Sequence, residues 1–389
     1  MEVKALVHKP VIPRLSPEQQ VLLGAIRVDG AQDERLREIL ARGLDWPLLR
    51  QMALSHEVLP LLYTRMKALG EGLLPTDELE QLRALYLANV HRTLRLAQKL
   101  LRALDLLAGR GIEALPFKGP ALAVQAYDEL PLRQFIDLDI LIHPQDLRPA
   151  YDLLVAAGYR PLFPPGGGIA GRLARADYAP SASDRVPPMD ARQLSYWLRR
   201  LNHLAFSDQA STLEVHWAVA PRFLALTLEP ECFWRGLRAA RLNGREIRLL
   251  SPENSALVLC LHGARHRWYQ LKEIADLAQL MRRCPELDWP ALFDRGKELG
   301  IRRILCLALQ LAEEVGGASL PAEIRVPVRA DAQVRGLACQ ARGWLFEGSG
   351  PGGARDLMDR LLFDLRCRER FQDRLYYLYD RVLAFALGV

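Results

Sequence analysis

Asp137 and Asp139 stand two residues apart inside FIDLDILI, and this spacing is the sharpest chemical signal in the chain. On a strand, residues i and i+2 point to the same side, roughly 7 Å apart. Two carboxylates so placed can converge on a pair of hard cations. Mg²⁺ prefers carboxylate oxygens and keeps several waters, which suits a site shared with substrate phosphates. Two such ions about 4 Å apart activate an attacking oxygen and stabilise a leaving one. D-x-D alone is common on solvated strand faces, so its neighbours carry the argument. Lys118 and Gly119 end the apolar run IEALPF and lead into ALAVQAY. A lysine there can neutralise phosphate charge, and a glycine lets the backbone approach a ligand at a helix N-terminus. Arg133, four residues before Asp137, offers a fork-shaped phosphate donor.

These residues need elements to hold them. Residues 1–108 read as successive helices, an N-terminal helical region. PEQQVLLGAIRV, DERLREILARGL and WPLLRQMALSHEV carry apolar residues at three- and four-residue spacing. A longer stripe of Leu79, Leu82, Leu85, Leu87, Val90, Leu94, Leu96 and Leu100 stops at Gly109 and Gly111. Residues 109–250 change period and form the expected core. IEALPF suits a buried strand, and Pro120 is tolerated in the first turn of the helix that follows. In FIDLDILI, Ile136, Leu138, Ile140 and Ile142 share the face opposite the two aspartates. HPQDLRPAYDLLVAAGY is a further helix. Residues 161–190, rich in proline and glycine with Arg172, Arg175 and Arg185, are expected to form a long mobile loop. LNHLAFSD and STLEVHWAV read as two strands, and Asn243-Gly244 suits a type I′ hairpin turn. Residues 251–389 return to helices, opened by Ser251 as N-cap. The fold class is α+β (mixed α/β): a small mixed sheet flanked by helical regions.

The remaining features bound the function. The 389 residues exceed one hydrophobic core, so more than one domain is expected. A composition half hydrophobic and a quarter charged is that of a globular protein. No run reaches the roughly 20 apolar residues of a membrane span. The N-terminus lacks a secretory pattern, so cytoplasmic localisation is expected. Cys232, Cys260, Cys284, Cys306, Cys339 and Cys367 form no CxxC pair and read as reduced core cysteines. A net charge of +6 fits a nucleotide or polyphosphate ligand and does not by itself indicate nucleic acid. His262 and His266 stand at i and i+4 but lack the glutamate of H-E-x-x-H, which argues against a zinc protease.

The run LPFKGPALAVQAY…PLRQFIDLDILIHPQDLRPAYDLLVAAGYRP resembles the uncharacterised nucleotidyltransferase family of the polymerase-β-like superfamily. The match falls on Lys118, Gly119, Leu122, Tyr127, Arg133, Asp137, Asp139, Leu141, Gly158 and Tyr159. It continues more loosely through LEVHWAV and LCLHGARHRWYQLKEIADLAQL. The resemblance implies a third carboxylate on a later strand. Glu214 fits, since Thr212, Glu214 and His216 share one face of TLEVHW. His216 would orient Glu214 or touch the ligand, and His266 or Lys272 would close over the nucleotide. The expected site is therefore Asp137, Asp139 and Glu214 as catalytic metal ligands for Mg²⁺ or Mn²⁺. Lys118, Gly119, Arg133, His216 and Lys272 would bind nucleotide or phosphate. The expected reaction moves a nucleoside monophosphate from an NTP to an acceptor hydroxyl. A nucleotide-sugar donor, or a degenerate nucleotide-binding protein, are the alternatives. The acceptor is left open, a small molecule, peptide or protein among the options, and no membrane partner is expected. One departure bears on the donor. The superfamily places a Gly-Ser pair at the strand-to-helix turn, whereas Pro120 supplies neither hydroxyl nor N–H.

Overall fold

The computed structural model describes residues 15–162, 191–208, 211–224, 230–346 and 354–387. Four N-terminal helices come first: α1 (Pro17–Ile26), α2 (Asp33–Ala41), α3 (Trp46–Ser55) and α4 (Leu59–Leu69). Ser16 caps α1 with a capping box closed by Gln19, and Asp45 caps α3. The spine α5 (Thr76–Ala108) then runs for 33 residues. Its buried line differs from the leucine stripe. Leu82, Leu96 and Leu100 are buried, but Leu87 and Leu94 face out, and Asn89 and Thr93 take places on the inner face. Asn89 can be buried because its Nδ2 donates to the Pro131 carbonyl at 2.8 Å. Hydropathy alone cannot register such a satisfied polar position.

The sheet follows: β1 (Ala114–Pro116), α6 (Gly119–Ala126), β2 (Asp137–Ile142), α7 (Leu147–Ala156), β3 (Arg160–Leu162), α8 (Ala191–Arg200), β4 (His203–Ser207) and β5 (Thr212–His216). The strand order is β1-β2-β5-β4-β3. Only β2 and β5 pair in parallel; the other three pairings are antiparallel. Pro161 and Leu162, expected in the loop, belong to β3, which pairs with β4. Proline is tolerated there because β3 is an edge strand. Residues 163–190 of the expected loop lie outside the described residues, as do its three arginines. Ile136, expected beside Leu138, lies before the first residue of β2 and is 64% exposed.

The sheet's two faces enter different cores. Leu138, Ile140, Ile142, Leu204, Phe206, Leu213 and Val215 pack with α5 and α7. Leu115, Phe117 and Leu141 join the larger cluster that unites the N-terminal and C-terminal helices. A separate hairpin, β6 (Arg238–Leu242) and β7 (Arg245–Leu249), turns at Asn243 and Gly244. Their φ values of 50° and 81° meet the type I′ requirement. The C-terminal helices are α9 (Pro252–His266), α10 (Leu271–Arg283), α11 (Trp289–Glu298), α12 (Arg302–Glu314), α13 (Ala322–Ala330), α14 (Ala332–Trp344), α15 (Ala354–Cys367) and α16 (Phe371–Leu387). Ser251 caps α9 as expected. All six cysteines are free, four of them buried. Among the described residues no helix is long and apolar enough to cross a membrane.

Candidate active site

Register assembles the site. In the parallel β2–β5 ladder, Asp137 lies opposite Thr212, Asp139 opposite Glu214 and Leu141 opposite His216. In the antiparallel β4–β5 ladder, His203 lies opposite His216 and Ala205 opposite Glu214. Residues paired in this way share a face. Asp137, Asp139, Glu214, His216 and His203 therefore gather on one side of three adjacent strands.

The strand-to-helix turn adds the cation. Lys118 is the extended N-cap residue of α6. Gly119 has φ +52°, and a Cβ there would stand 3.0 Å from the Asp137 carbonyl oxygen. Only glycine fits both the backbone and the close approach. Lys118 Nζ contacts Asp139 Oδ1 at 2.5 Å. His216 Nε2 bridges Asp139 Oδ1 at 3.0 Å and Glu214 Oε2 at 3.2 Å. Asn202 Nδ2 approaches His216 Nδ1 at 3.5 Å, which leaves Nε2 to carry the proton toward both carboxylates. The His203 and His216 rings stack at 4.8 Å.

The charges do not balance. Asp139 is 1% exposed, and its Oδ2 has no hydrogen-bond partner among the described residues. Burial works against its ionised form, but Lys118 and His216 outweigh that and hold the carboxyl far below the usual carboxylate range. Lys118 is likewise desolvated, yet Asp139, Asp137 and Glu214 raise it above an ordinary lysine. Among the described residues Asp137 has no such partner. Burial, then the charge of Asp139, pushes its carboxyl up. Desolvation, then His216, lowers His203 to about 4, which keeps that imidazole neutral. Three carboxylates thus face one lysine, with one buried oxygen unsatisfied. That donor set fits a divalent cation bound through Asp137, Asp139 and Glu214. His203, Glu214 and His216 also place one ligand atom each within 4.8 Å of one another.

Of the other expected residues, two are engaged elsewhere. Arg133 is 5% exposed, and its Nε and Nη2 each donate to Asp276 at 2.9 Å. Tyr127 donates to the same carboxylate at 2.7 Å. The guanidinium sits in a closed buried pair on α10 rather than free for phosphate. Lys272 forms an ion pair with Glu57, although its charge still lowers Asp137 against the stronger effects of burial and Asp139. Two residues escaped the sequence reading. His203 alternates correctly in NHLAF, but only the antiparallel register puts it on His216. Arg265, on α9, has no hydrogen bond or ion pair among the described residues, and after burial the attraction of Glu214 and Asp139 is what acts on its charge most. The run HGARH was the available signal, a basic residue between two histidines.

No curated protein matches the chain. A family model described as an uncharacterised nucleotidyltransferase matches residues 42–317. That span holds the Lys118–Asp139 segment, the whole sheet and the α9–α10 pair. The chain therefore belongs to this uncharacterised nucleotidyltransferase family.

Proposed function

We propose that the protein is a metal-dependent nucleotidyltransferase that joins the α-phosphate of an NTP to an acceptor hydroxyl and releases pyrophosphate. The observation that carries this reading is the pairing of Asp139 with Glu214 across β2 and β5, with Asp139 Oδ2 buried and unsatisfied. Asp137, Asp139 and Glu214 would hold Mg²⁺ or Mn²⁺, which would supply charge neutralisation to the phosphates and to the attacking oxygen. The chain's own residues do the rest. Lys118 keeps Asp139 ionised and fixes its rotamer. Arg265, unpaired among the described residues and attracted by Glu214 and Asp139, binds donor phosphate oxygens. The bond from the acceptor oxygen to the α-phosphorus forms as the bond to the β-phosphate oxygen breaks. The hydroxyl proton passes to Glu214, whose Oε2 lies beside His216 Nε2. Arg133 is a positioning residue that ties α10 to the Gly119 turn through Asp276 and the Gly119 carbonyl. Positioning and charge, rather than covalent chemistry, lower the barrier.

A nucleotide-sugar donor is the second reading, favoured by Pro120 at the start of α6, where neither hydroxyl nor N–H is offered. The test is a titration of the full chain with the four NTPs and a panel of nucleotide sugars, with Mg²⁺, Mn²⁺ or chelator. Metal-dependent NTP binding, with pyrophosphate released on adding acceptor mixtures, is expected. Binding confined to nucleotide sugars selects the second reading. No metal-dependent binding of any nucleotide, or binding undiminished in Asp139→Asn and Glu214→Gln, removes both.

A further inference from the structure

A second set of metal-type ligands spans α9 and α10. His262 and His266 are one helical turn apart near the end of α9, with ring centroids 4.7 Å apart. Glu273 is the third residue of α10. The chain reverses between them through Arg267 and Trp268, both in the left-handed region with φ of 57° and 55°. Non-glycine residues in that region are strained and persist where the surroundings enforce them. Trp268 packs back on Gly263, where a Cβ would fall 2.3 Å from the indole Nε1. This enforced turn brings one ligand atom each of His262, His266 and Glu273 within 4.8 Å of one another.

Glu273 is the residue that local structure leaves unexplained. It is 3% exposed, and its Oε2 has no hydrogen-bond partner among the described residues. The Gln270 backbone N–H bonds the carboxylate, an N-cap contact that accounts for one oxygen only. Of the nearby cations, Lys272 is paired with Glu57, Arg267 with Asp364 and Lys118 with Asp139, and Arg265 is not among the charges that act most on Glu273. Burial above all pushes Glu273 well above the usual carboxylate range.

The geometry points to a second divalent-cation site formed by His262, His266 and Glu273, distinct from the carboxylate site and selective for a borderline transition ion such as Zn²⁺. Two imidazoles and a carboxylate are a donor set such ions favour over Mg²⁺. Bonds of about 2.0–2.2 Å to one ion are within reach of ligand atoms this close, with side-chain rotation to adjust them. His266 is exposed and gives the ion a path from solvent. A bound ion locks α9 to α10, the helices that carry Arg265 and Asp276. The site does not depend on the transfer reaction proposed above.

The probe is Co²⁺, added to the chelator-stripped full chain and followed by its visible absorption. The wild type is expected to bind one equivalent at this site, displaced by Zn²⁺ and not by Mg²⁺. The double variant His266→Gln/Glu273→Gln should weaken that binding at least about tenfold. His203→Gln/Glu214→Gln should leave it unchanged. Should the double variant fail to fold, the isosteric Glu273→Gln replaces it. Zn²⁺ should then raise the melting temperature of the wild type and not of Glu273→Gln. Co²⁺ binding that survives in the α9–α10 variant, that vanishes in His203→Gln/Glu214→Gln, or that the wild type lacks, overturns the site.

Discussion

Two buried ionic groups flank α6, and they are built on opposite principles. Behind the helix, Arg133, Asp276 and Tyr127 form a closed set. Both carboxylate oxygens of Asp276 receive donors from the guanidinium or the phenol. On the sheet face, Asp139 pairs with Lys118 and shares His216 with Glu214, Asp137 is bonded to neither, and Asp139 Oδ2 is left over among the described residues. Completeness separates architecture from function. A buried charge with every valence met stabilises the chain as it stands, whereas a surplus of one sign calls for a ligand of the other.

Mutation can break that contrast. The largest effect is expected at Arg133. Arg133→Met leaves Asp276 buried without its counter-charge and should cost about 3–5 kcal/mol in urea unfolding. If it instead weakens nucleotide binding at unchanged stability, Arg133 belongs to the donor pocket and the distinction between the two groups is wrong. Asp139→Asn comes next. It abolishes turnover and removes the negative partner of Lys118, with an expected stability loss of about 2–3 kcal/mol by the same measurement. Full activity would dismiss the metal site. Arg265→Met should weaken NTP binding by about 1.5 kcal/mol with an unchanged melting temperature. Calorimetric titration at fixed Mg²⁺ decides this, and unchanged affinity would place the phosphates elsewhere.

The smallest effect sharpens the comparison within the site. Asp137 has its folded carboxyl raised, so its ionisation opposes folding: its contribution is best below the unfolded value and falls as pH rises through the carboxylate range. Asp139 is lowered, so its contribution is present above the unfolded value and lost as pH falls toward its own. Without divalent metal at neutral pH, Asp137→Asn should therefore melt at the same or a higher temperature than the wild type, and Asp139→Asn lower. Thermal scans of both variants between pH 4 and 8, on the order of the carboxylate range and above, check the two signs. A common sign would mean that the two aspartates share one environment.

Much of this site is written locally. Period-two alternation puts Asp137 and Asp139 on one face and Glu214 with His216 on another strand's polar face, and both placements hold. Positive φ at Asn243 and Gly244, and at Gly119, follows from residue type and near neighbours. The Ser251 cap is equally short-range. Such features depend on sterics and hydrogen bonds within a few residues, which a sequence carries intact.

Pairing across the chain was decided by the tertiary structure. Asp139 meets Glu214 only through the parallel register of β2 and β5, and a slip of one residue would turn Glu214 to the other face. Arg133 looks like a phosphate donor until Asp276, 143 residues away, is folded against it. Arg265 and Lys272 both read as basic helix residues, yet Glu57 on the N-terminal side claims one and not the other. Glu273 becomes a metal-type ligand only once the Arg267–Trp268 turn folds it onto His262 and His266. Residue type sets which interactions a side chain can make. Which of them remains open in the folded protein depends on non-local neighbours and on the loss of water around them, and neither is a property of sequence spacing.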